Sequence, residues 1–314
     1  MWIAFTKCHG SGNDFPLIDA RGLDISKGDW PGIARALADR AGPVGGDGIL
    51  LLCKGTNGAD FGFRMLNSDG SEAETCLNGL RCVGRAGFEA LGIERAEVSL
   101  IGSRATVAHV GDIMPGVYGV ETRAGPASTD PADVGIRVAA PVIDAAVAGL
   151  PSDRRFTAVA MPNPHLIAFV ERVDDDELST LGAWCEARPG LLVDRANVSF
   201  VEVRDGDLFV RTCERGVGLT NACGSAMAAS VFAAGLTGRV SFGAWATVLN
   251  PGGRVRARAD APADGGIVTI QGNATFEWDG SVEVDPDRGT AGNLIVTRRR
   301  DDEVAAWEAL VAAI

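Results

Sequence analysis

Short runs of alternating or β-branched residues recur along the 314-residue chain, and this period-two pattern constrains the fold more than any other feature. It predicts strands at residues 48–53, 61–66, 97–101, 157–161, 165–171, 198–203, 208–213, 255–259 and 267–271. Fewer segments have the length and composition of a helix, and they lie at residues 30–41, 79–91, 177–186, 224–234 and 302–314. Because few helices separate many short strands, we predict an α+β fold built mainly on antiparallel sheet.

The two halves of the chain share one local plan. In each half a strand leads through a polar turn to a cysteine, and a helix of small and apolar residues follows. The first copy is centred on Cys76 and the second on Cys223. Residues 125–131 contain two prolines together with Gly and Ser, which is typical of a crossing between domains. The pattern indicates a duplicated chain of two domains.

The composition argues against nucleic acid and membranes as partners. The formal net charge of −12 repels phosphate backbones and anionic lipid headgroups. No apolar run approaches the roughly 18 residues that a membrane span needs, and the N-terminal residues lack the pattern of a signal peptide. Lysine occurs only as Lys7, Lys27 and Lys54, which leaves few candidates for a Schiff base with pyridoxal phosphate. We therefore expect a cytoplasmic protein whose partner is a small molecule.

The seven cysteines are scattered without C-x-x-C spacing, which indicates reduced thiols rather than disulfides or a zinc site. Cys76 and Cys223 differ from the rest because each directly precedes a predicted helix. Unpaired backbone N–H groups and the helix dipole favour thiolate over thiol at such a position. Two such thiols could act on opposite faces of one Cα atom, one removing the proton and the other returning it. The remaining cysteines are interpreted as inert core residues: Cys8, Cys53, Cys82, Cys185 and Cys213.

Short motifs in one order carry a resemblance to a known family. They are residues 7–15 (KCHGSGNDF), 45–48 (GGDG), 66–71 (LNSDGS), 76–82 (CLNGLRC), 163–165 (NPH), 197–198 (NV), 214–218 (ERGVG) and 222–225 (ACGS). In this order they resemble the diaminopimelate epimerase family, from Lys7 to about Val284. The resemblance implies epimerisation of LL-2,6-diaminopimelate to the meso form, a step that supplies lysine and peptidoglycan precursors, with no cofactor and no metal.

The resemblance also implies a domain organisation. Two pseudo-symmetric domains are expected, each an antiparallel β-barrel-like sheet around a central helix. The N-terminal domain would comprise residues 1–124 with about 272–284, and the C-terminal domain residues 125–271. Residues 285–314 lie outside the resemblance and form an extra tail with a predicted helix. Such a helix packs on the body of the protein or on a second copy of the chain, so a homodimer is one expected assembly.

Roles for individual residues follow from the resemblance alone. Cys76 and Cys223 would be the two acid/base thiols. The substrate-binding residues would be Asn13, Asn67, Leu77, Asn78, Asn163, Asn197, Glu214, Arg215, Gly224 and Ser225. Among these, backbone N–H groups after each cysteine would bind the reacting carboxylate, and Arg215 would bind the distal one as a bidentate fork. His165 and Glu214 would tune the pKa values of the thiols.

Other functions stay open at this point. The nearest is a racemase of proline, hydroxyproline or histidine on the same fold. Leu77, Pro162 and Leu219 depart from the family pattern around the site. A cysteine hydrolase would use Cys223 as nucleophile and His165 as base, and it would leave the first thiol idle. A non-catalytic relative would bind an amino acid without exchanging its α-proton.

Overall fold

The structure is a computed structural model, and it describes residues 1–73 and 76–313. Its strands are β1 (Trp2–Gly10), β2 (Asn13–Asp19), β3 (Gly48–Lys54), β4 (Phe61–Asn67), β5 (Glu72–Ala73), β6 (Arg95–Ser99), β7 (Arg104–Met114), β8 (Val117–Ala124), β9 (Thr157–Ala160), β10 (Pro164–Phe169), β11 (Asn197–Arg204), β12 (Asp207–Glu214), β13 (Gly218–Thr220), β14 (Ala246–Asn250), β15 (Gly253–Ala259), β16 (Val268–Asn273), β17 (Thr275–Asp285) and β18 (Thr290–Arg299). Its helices are α1 (Trp30–Ala38), α2 (Leu77–Leu91), α3 (Pro131–Val134), α4 (Asp175–Glu186), α5 (Gly224–Leu236) and α6 (Asp301–Val311), with a 3-10 turn at Pro262–Asp264. The predicted α+β class is confirmed.

The described residues form two compact units, Met1–Thr122 with Gln271–Ala313 and Arg123–Ile270. In the first unit β1 and β2 are antiparallel, β2 and β3 are parallel, and β3 and β4 are antiparallel. β4 then pairs antiparallel with β5 and parallel with β6. The second unit repeats each of these pairings in the same order with β9 to β14, as the duplicated local plan predicts.

A central helix occupies the same place in the two units. α2 follows β5 and packs against β1, β2, β3, β4, β6 and β7, while α5 follows β13 and packs against β9, β10, β11, β12, β14 and β15. Gly87 lets α2 approach its sheet closely, because a Cβ there would lie 2.3 Å from the Phe61 ring. Alanines serve the same purpose on α5, which is buried along most of its length. Each of these helices begins directly after a candidate cysteine.

Several strands of the structure were not predicted. Among them are β18 in the C-terminal tail and the strands β1, β2, β7, β8, β14 and β17. β18 pairs antiparallel with β17, and most of its side chains are exposed on both faces. A solvated edge strand needs no alternation of apolar and polar residues, so its sequence carries little period-two signal. The tail is thus an extension of the first unit rather than a segment that only adds a helix.

The predicted tail helix, residues 302–314, corresponds to α6, which ends at Val311; Ile314 lies outside the described residues. α6 packs on β17, and its Trp307 ring lies 5.0 Å from the ring of His9. Among the helices of residues 1–73 and 76–313, none is long and apolar enough to cross a membrane. The tail helix is instead part of the first unit's packing.

Candidate active site

Cys76 lies at the N-terminus of α2 as its N-cap residue. Its backbone is extended, with φ −138° and ψ 106°, and the backbone N–H of Gly79 donates to its Sγ atom at 3.3 Å. Leu77 and Asn78 are the first helical residues, whose N–H groups point out of the helix end. A Cβ at position 79 would lie 2.7 Å from a Leu50 methyl group, so a larger residue there would force Leu50 to shift. The fold therefore places a half-buried thiol at the helix end, where one backbone N–H donates to its sulfur.

Asn13 and Asn78 flank the Cys76 thiol. The Sγ atom donates to Asn13 Oδ1 at 3.7 Å, and Asn78 Nδ2 donates to the same oxygen at 3.4 Å. Asn13 Nδ2 in turn donates to Asp47 Oδ2 at 2.5 Å, which sets the orientation of the amide. The structure thus brings together three of the predicted site residues of the first half and adds Asp47.

An ion-pair network holds Asp47 in place. Arg40 donates to Asp47 Oδ1 at 2.8 Å and to both carboxylate oxygens of Asp14. Lys7 donates to Asp14 and to the carbonyl oxygen of Gly45. Burial alone would raise the pKa of Asp14, but hydrogen bonds and charges from Arg40 and Lys7 outweigh it and lower the pKa. Residues of two motifs that are distant in sequence, 7–15 and 45–48, therefore form one hydrogen-bonded network that fixes the Asn13 side chain.

Asn67 occupies a different environment from Asn13 and Asn78. Its Nδ2 atom donates to Ser71 Oγ at 3.0 Å, and its backbone N–H donates to the carbonyl of the same serine. The side chain thus belongs to the polar turn after β4. Within the described part of the chain, its hydrogen bonds do not reach Cys76 or Asn13.

Cys223 is the matching N-cap residue of α5, with an extended backbone at φ −122° and ψ 113°. Its Sγ atom lies 3.5 Å from Ser225 Oγ. Burial raises the pKa of the Cys223 thiol well above its usual range, and the charge and hydrogen bond of Glu214 raise it further. Ser225 and the backbone N–H of Ala226 act in the opposite direction but do not prevail. The helix start therefore lowers the pKa of this thiol as expected, but burial and Glu214 outweigh that contribution.

Glu214 links the thiol to the end of β12. Thr220 on the adjacent strand β13 donates to Glu214 Oε1 at 2.5 Å, which holds the carboxylate near Cys223. Arg215 follows directly, and its backbone N–H donates to Asn197 Oδ1 at 2.9 Å. The hairpin β12–β13 thus holds the Glu214 carboxylate near Cys223, while Asn197 fixes the backbone of Arg215.

His165 lies on β10 beside Asn197 of β11, and Asn163 directly precedes β10. His165 is paired with Asn197 across β10 and β11, and its Nε2 atom lies 3.1 Å from Asn163 Oδ1. With this orientation of the amide, the Asn163 oxygen accepts from the Nε2-protonated tautomer of the ring. Burial and then the charge of Arg215 lower the pKa of His165 to about 3, so the ring is neutral at physiological pH. His165, Asn163, Asn197 and Arg215 thus form one group. His165 is not among the residues that shift the pKa of Cys223.

Sequence reasoning missed the supporting residues. Asp47 and Arg81 stand within quoted motifs and had no role assigned, so the signal was present but unused. Asn273 had no local signal, because it reaches Ser11 from a strand more than 250 residues away: its Oδ1 accepts the Ser11 N–H at 2.7 Å. In residues 1–73 and 76–313, no group of three His, Cys, Asp or Glu side chains could hold a metal ion.

Comparison with known proteins places the chain in a family. The profile described as "Diaminopimelate epimerase" matches residues 5–114 and 157–277. A diaminopimelate epimerase of Clostridium acetobutylicum is 38% identical over 288 residues, which is 90% of this chain and 86% of that protein. One of Listeria monocytogenes is 36% identical over 327 residues, or 99% of this chain and 97% of the relative.

Solved structures agree at the level of the fold. A hydroxyproline epimerase from Agrobacterium vitis, with bound trans-4-OH-L-proline, superposes with a TM-score of 0.63 at 14% identity, covering 100% of this chain and 98% of that one. A phenazine biosynthesis protein of the PhzF family from Bacillus anthracis gives a TM-score of 0.65 at 14% identity, covering 90% and 100%. With the sequence matches and the two N-cap cysteines together, the chain belongs to the diaminopimelate epimerase family.

Proposed function

We propose that this chain interconverts LL-2,6-diaminopimelate and meso-diaminopimelate in the cytoplasm, with Cys76 and Cys223 as its two acid/base groups. The proposal depends above all on one observation: each unit places a cysteine at the N-cap of its central helix. Relatives named diaminopimelate epimerase, which align over nearly the whole chain, support the choice of substrate.

In the proposed reaction one thiolate takes the α-proton, and the electron pair of the broken C–H bond passes into the adjacent carboxylate. The other thiol then gives its proton to the opposite face of the Cα atom. Cys223 suits the role of the initial acid, because its raised pKa keeps it protonated at neutral pH. Cys76 suits the role of the initial base, since the Gly79 N–H donates to its sulfur.

Backbone N–H groups at the helix starts would stabilise the charge that develops on the reacting carboxylate. They belong to Leu77 and Asn78 on α2 and to Gly224 and Ser225 on α5. Such donors are already oriented by the helix, so they do not need to reorganise during the reaction. This arrangement replaces the electron sink that a pyridoxal cofactor would otherwise supply.

Arg215 would bind the distal carboxylate of the substrate. In the described residues its guanidinium pairs with no carboxylate, while its backbone is held by Asn197. A planar guanidinium matches a carboxylate as a bidentate fork, which favours a substrate with a second acidic group over proline. Asn163 and Asn197 lie beside it and would complete this end of the site.

The test is an exchange assay on reduced protein with LL-diaminopimelate in deuterated water. We expect α-deuterium in the product and formation of the meso isomer, measured by NMR and chiral chromatography. Cys76→Ala and Cys223→Ala should each abolish inversion. Cys53→Ala is the matched control, because this half-buried thiol lies on β3 and should leave the rate unchanged. Full activity in Cys76→Ala would reject the two-thiol mechanism and favour a cysteine hydrolase.

A further inference from the structure

Arg81 is among the largest side chains of the protein that are fully buried, with 0% of its surface exposed. Its Nε atom donates to the carbonyl of Asn273 at 2.9 Å, and its Nη2 atom donates to Ser11 Oγ and Asn78 Oδ1 at 3.0 Å each. All of these acceptors are neutral oxygens. Nη1 has no hydrogen-bond partner, and no carboxylate of the described residues forms an ion pair with the guanidinium.

A buried cation without a counter-ion is costly, so this arrangement needs a physical reason. Arg85, one turn later on α2, shows the ordinary solution, because Glu89 and Glu303 pair with it. Burial lowers the pKa of Arg81 to about 10, whereas the two carboxylates outweigh burial and raise that of Arg85. Arg81 is therefore still charged at neutral pH, and its field acts on its surroundings without local compensation.

Two thiols lie within that field, Cys82 and Cys76. Cys82 interacts more strongly, but it is fully buried and hydrogen-bonded to Cys8, so it is closed to substrate. Cys76 is half-buried at the helix start. Asn78 connects the two sites: its Oδ1 accepts from Arg81, and its Nδ2 shares the Asn13 oxygen with the Cys76 sulfur. Among the described residues, the thiolate of Cys76 is therefore the accessible anion that can pair with this charge.

We propose that Arg81 is a positioning residue that supplies the counter-charge for the Cys76 thiolate and holds Asn78 beside it. The proposal rests on the proposed function only in taking Cys76 as an acid/base thiol. A nearby fixed cation favours the thiolate over the thiol, and a midpoint lowered by about one unit corresponds to an about tenfold larger thiolate fraction at neutral pH. Without it, proton abstraction by Cys76 would slow by a comparable factor.

The test is the pH dependence of Cys76 alkylation by iodoacetamide in the reduced, full-length protein, followed by peptide mass spectrometry. This readout needs no turnover, so it separates failure of this proposal from failure of the proposed function. We expect a wild-type midpoint below the ordinary thiol value of about 8.5. Arg81→Met and Arg81→Gln should raise the midpoint by about one unit, while Arg81→Lys should stay within a few tenths.

Arg85→Gln is the matched control, since it removes one cation from the same helix and should leave the Cys76 midpoint unchanged. Circular dichroism shows which variants are folded. Neutral Arg81 variants with a wild-type midpoint would overturn the proposal, and so would an Arg81→Lys midpoint raised as far as theirs. If neither neutral variant folds, the wild-type protein still decides: a midpoint at or above about 8.5 overturns the proposal, and one clearly below it supports it.

Discussion

Glu303 on α6 should stabilise the first unit far more than its place in the tail suggests. It accepts a bidentate pair from Arg85 at 2.5 and 2.9 Å, and it also accepts the backbone N–H of Phe276 at 3.2 Å. The side chains of Arg85 and Glu303 are only 7% and 17% exposed. Removing one partner of a largely buried pair leaves the other charge uncompensated, which costs about 3 kcal/mol.

Glu303→Ala should therefore lower the melting temperature of this unit by roughly 6–12 °C, since 1 kcal/mol corresponds to about 2–4 °C for units of this size. Differential scanning calorimetry of the reduced protein measures the shift. Glu89→Ala is the matched control, because Glu89 pairs with the same arginine but is 46% exposed. Its loss should cost about 0.5 kcal/mol. Equal shifts in the two variants would refute the reasoning that burial sets the strength of this pair.

Two further predictions concern the site, and a third concerns the pH dependence of stability. Glu214→Gln removes a charge that raises the pKa of Cys223, so the alkylation midpoint of that thiol should fall; an unchanged midpoint would mean that burial alone sets it. Asp47→Ala removes the acceptor that orients the Asn13 amide, so kcat should drop about tenfold while the melting temperature changes little. A lower kcat that is accompanied by a large fall in melting temperature would indicate a purely structural role. Burial lowers the pKa values of His9 and His165 to about 4 and about 3. Between these values and about 6.5 the unfolded chain binds protons that the folded chain does not, so stability should fall as pH decreases from about 6.5 towards 4. Urea midpoints at pH 7, 6 and 5 measure this trend, and a flat profile would contradict it.

Local patterns identified the elements that carry the cysteines. The bounds of the helices predicted at 79–91 and 224–234 differ by at most two residues from those of α2 and α5. The polar turns before these helices correctly placed the two thiols at the helix starts. Such features depend on short-range periodicity and capping, which a sequence displays directly. Local patterns did not predict β1 and β17, which pair with each other from opposite ends of the chain.

The net acidity of a thiol proved harder to predict than its position. A helix start alone predicts a lowered pKa, but Cys223 is also buried beside Glu214, and both effects raise it. Burial depends on what packs over a residue, and that information is spread over strands far apart in the chain. The same holds for Arg81, whose partners Ser11 and Asn273 come from distant segments.

The sequence by itself determined the α+β class, the duplicated plan, the helix starts at Cys76 and Cys223, and the family. Each of these follows from periodicity, turn chemistry or motif order within short windows. Tertiary structure alone decided the Arg40–Asp47–Asn13 support, the uncompensated Arg81 and the anchoring of α6 through Glu303. Those features depend on distances between remote segments and on the exclusion of water, and no local pattern encodes either one.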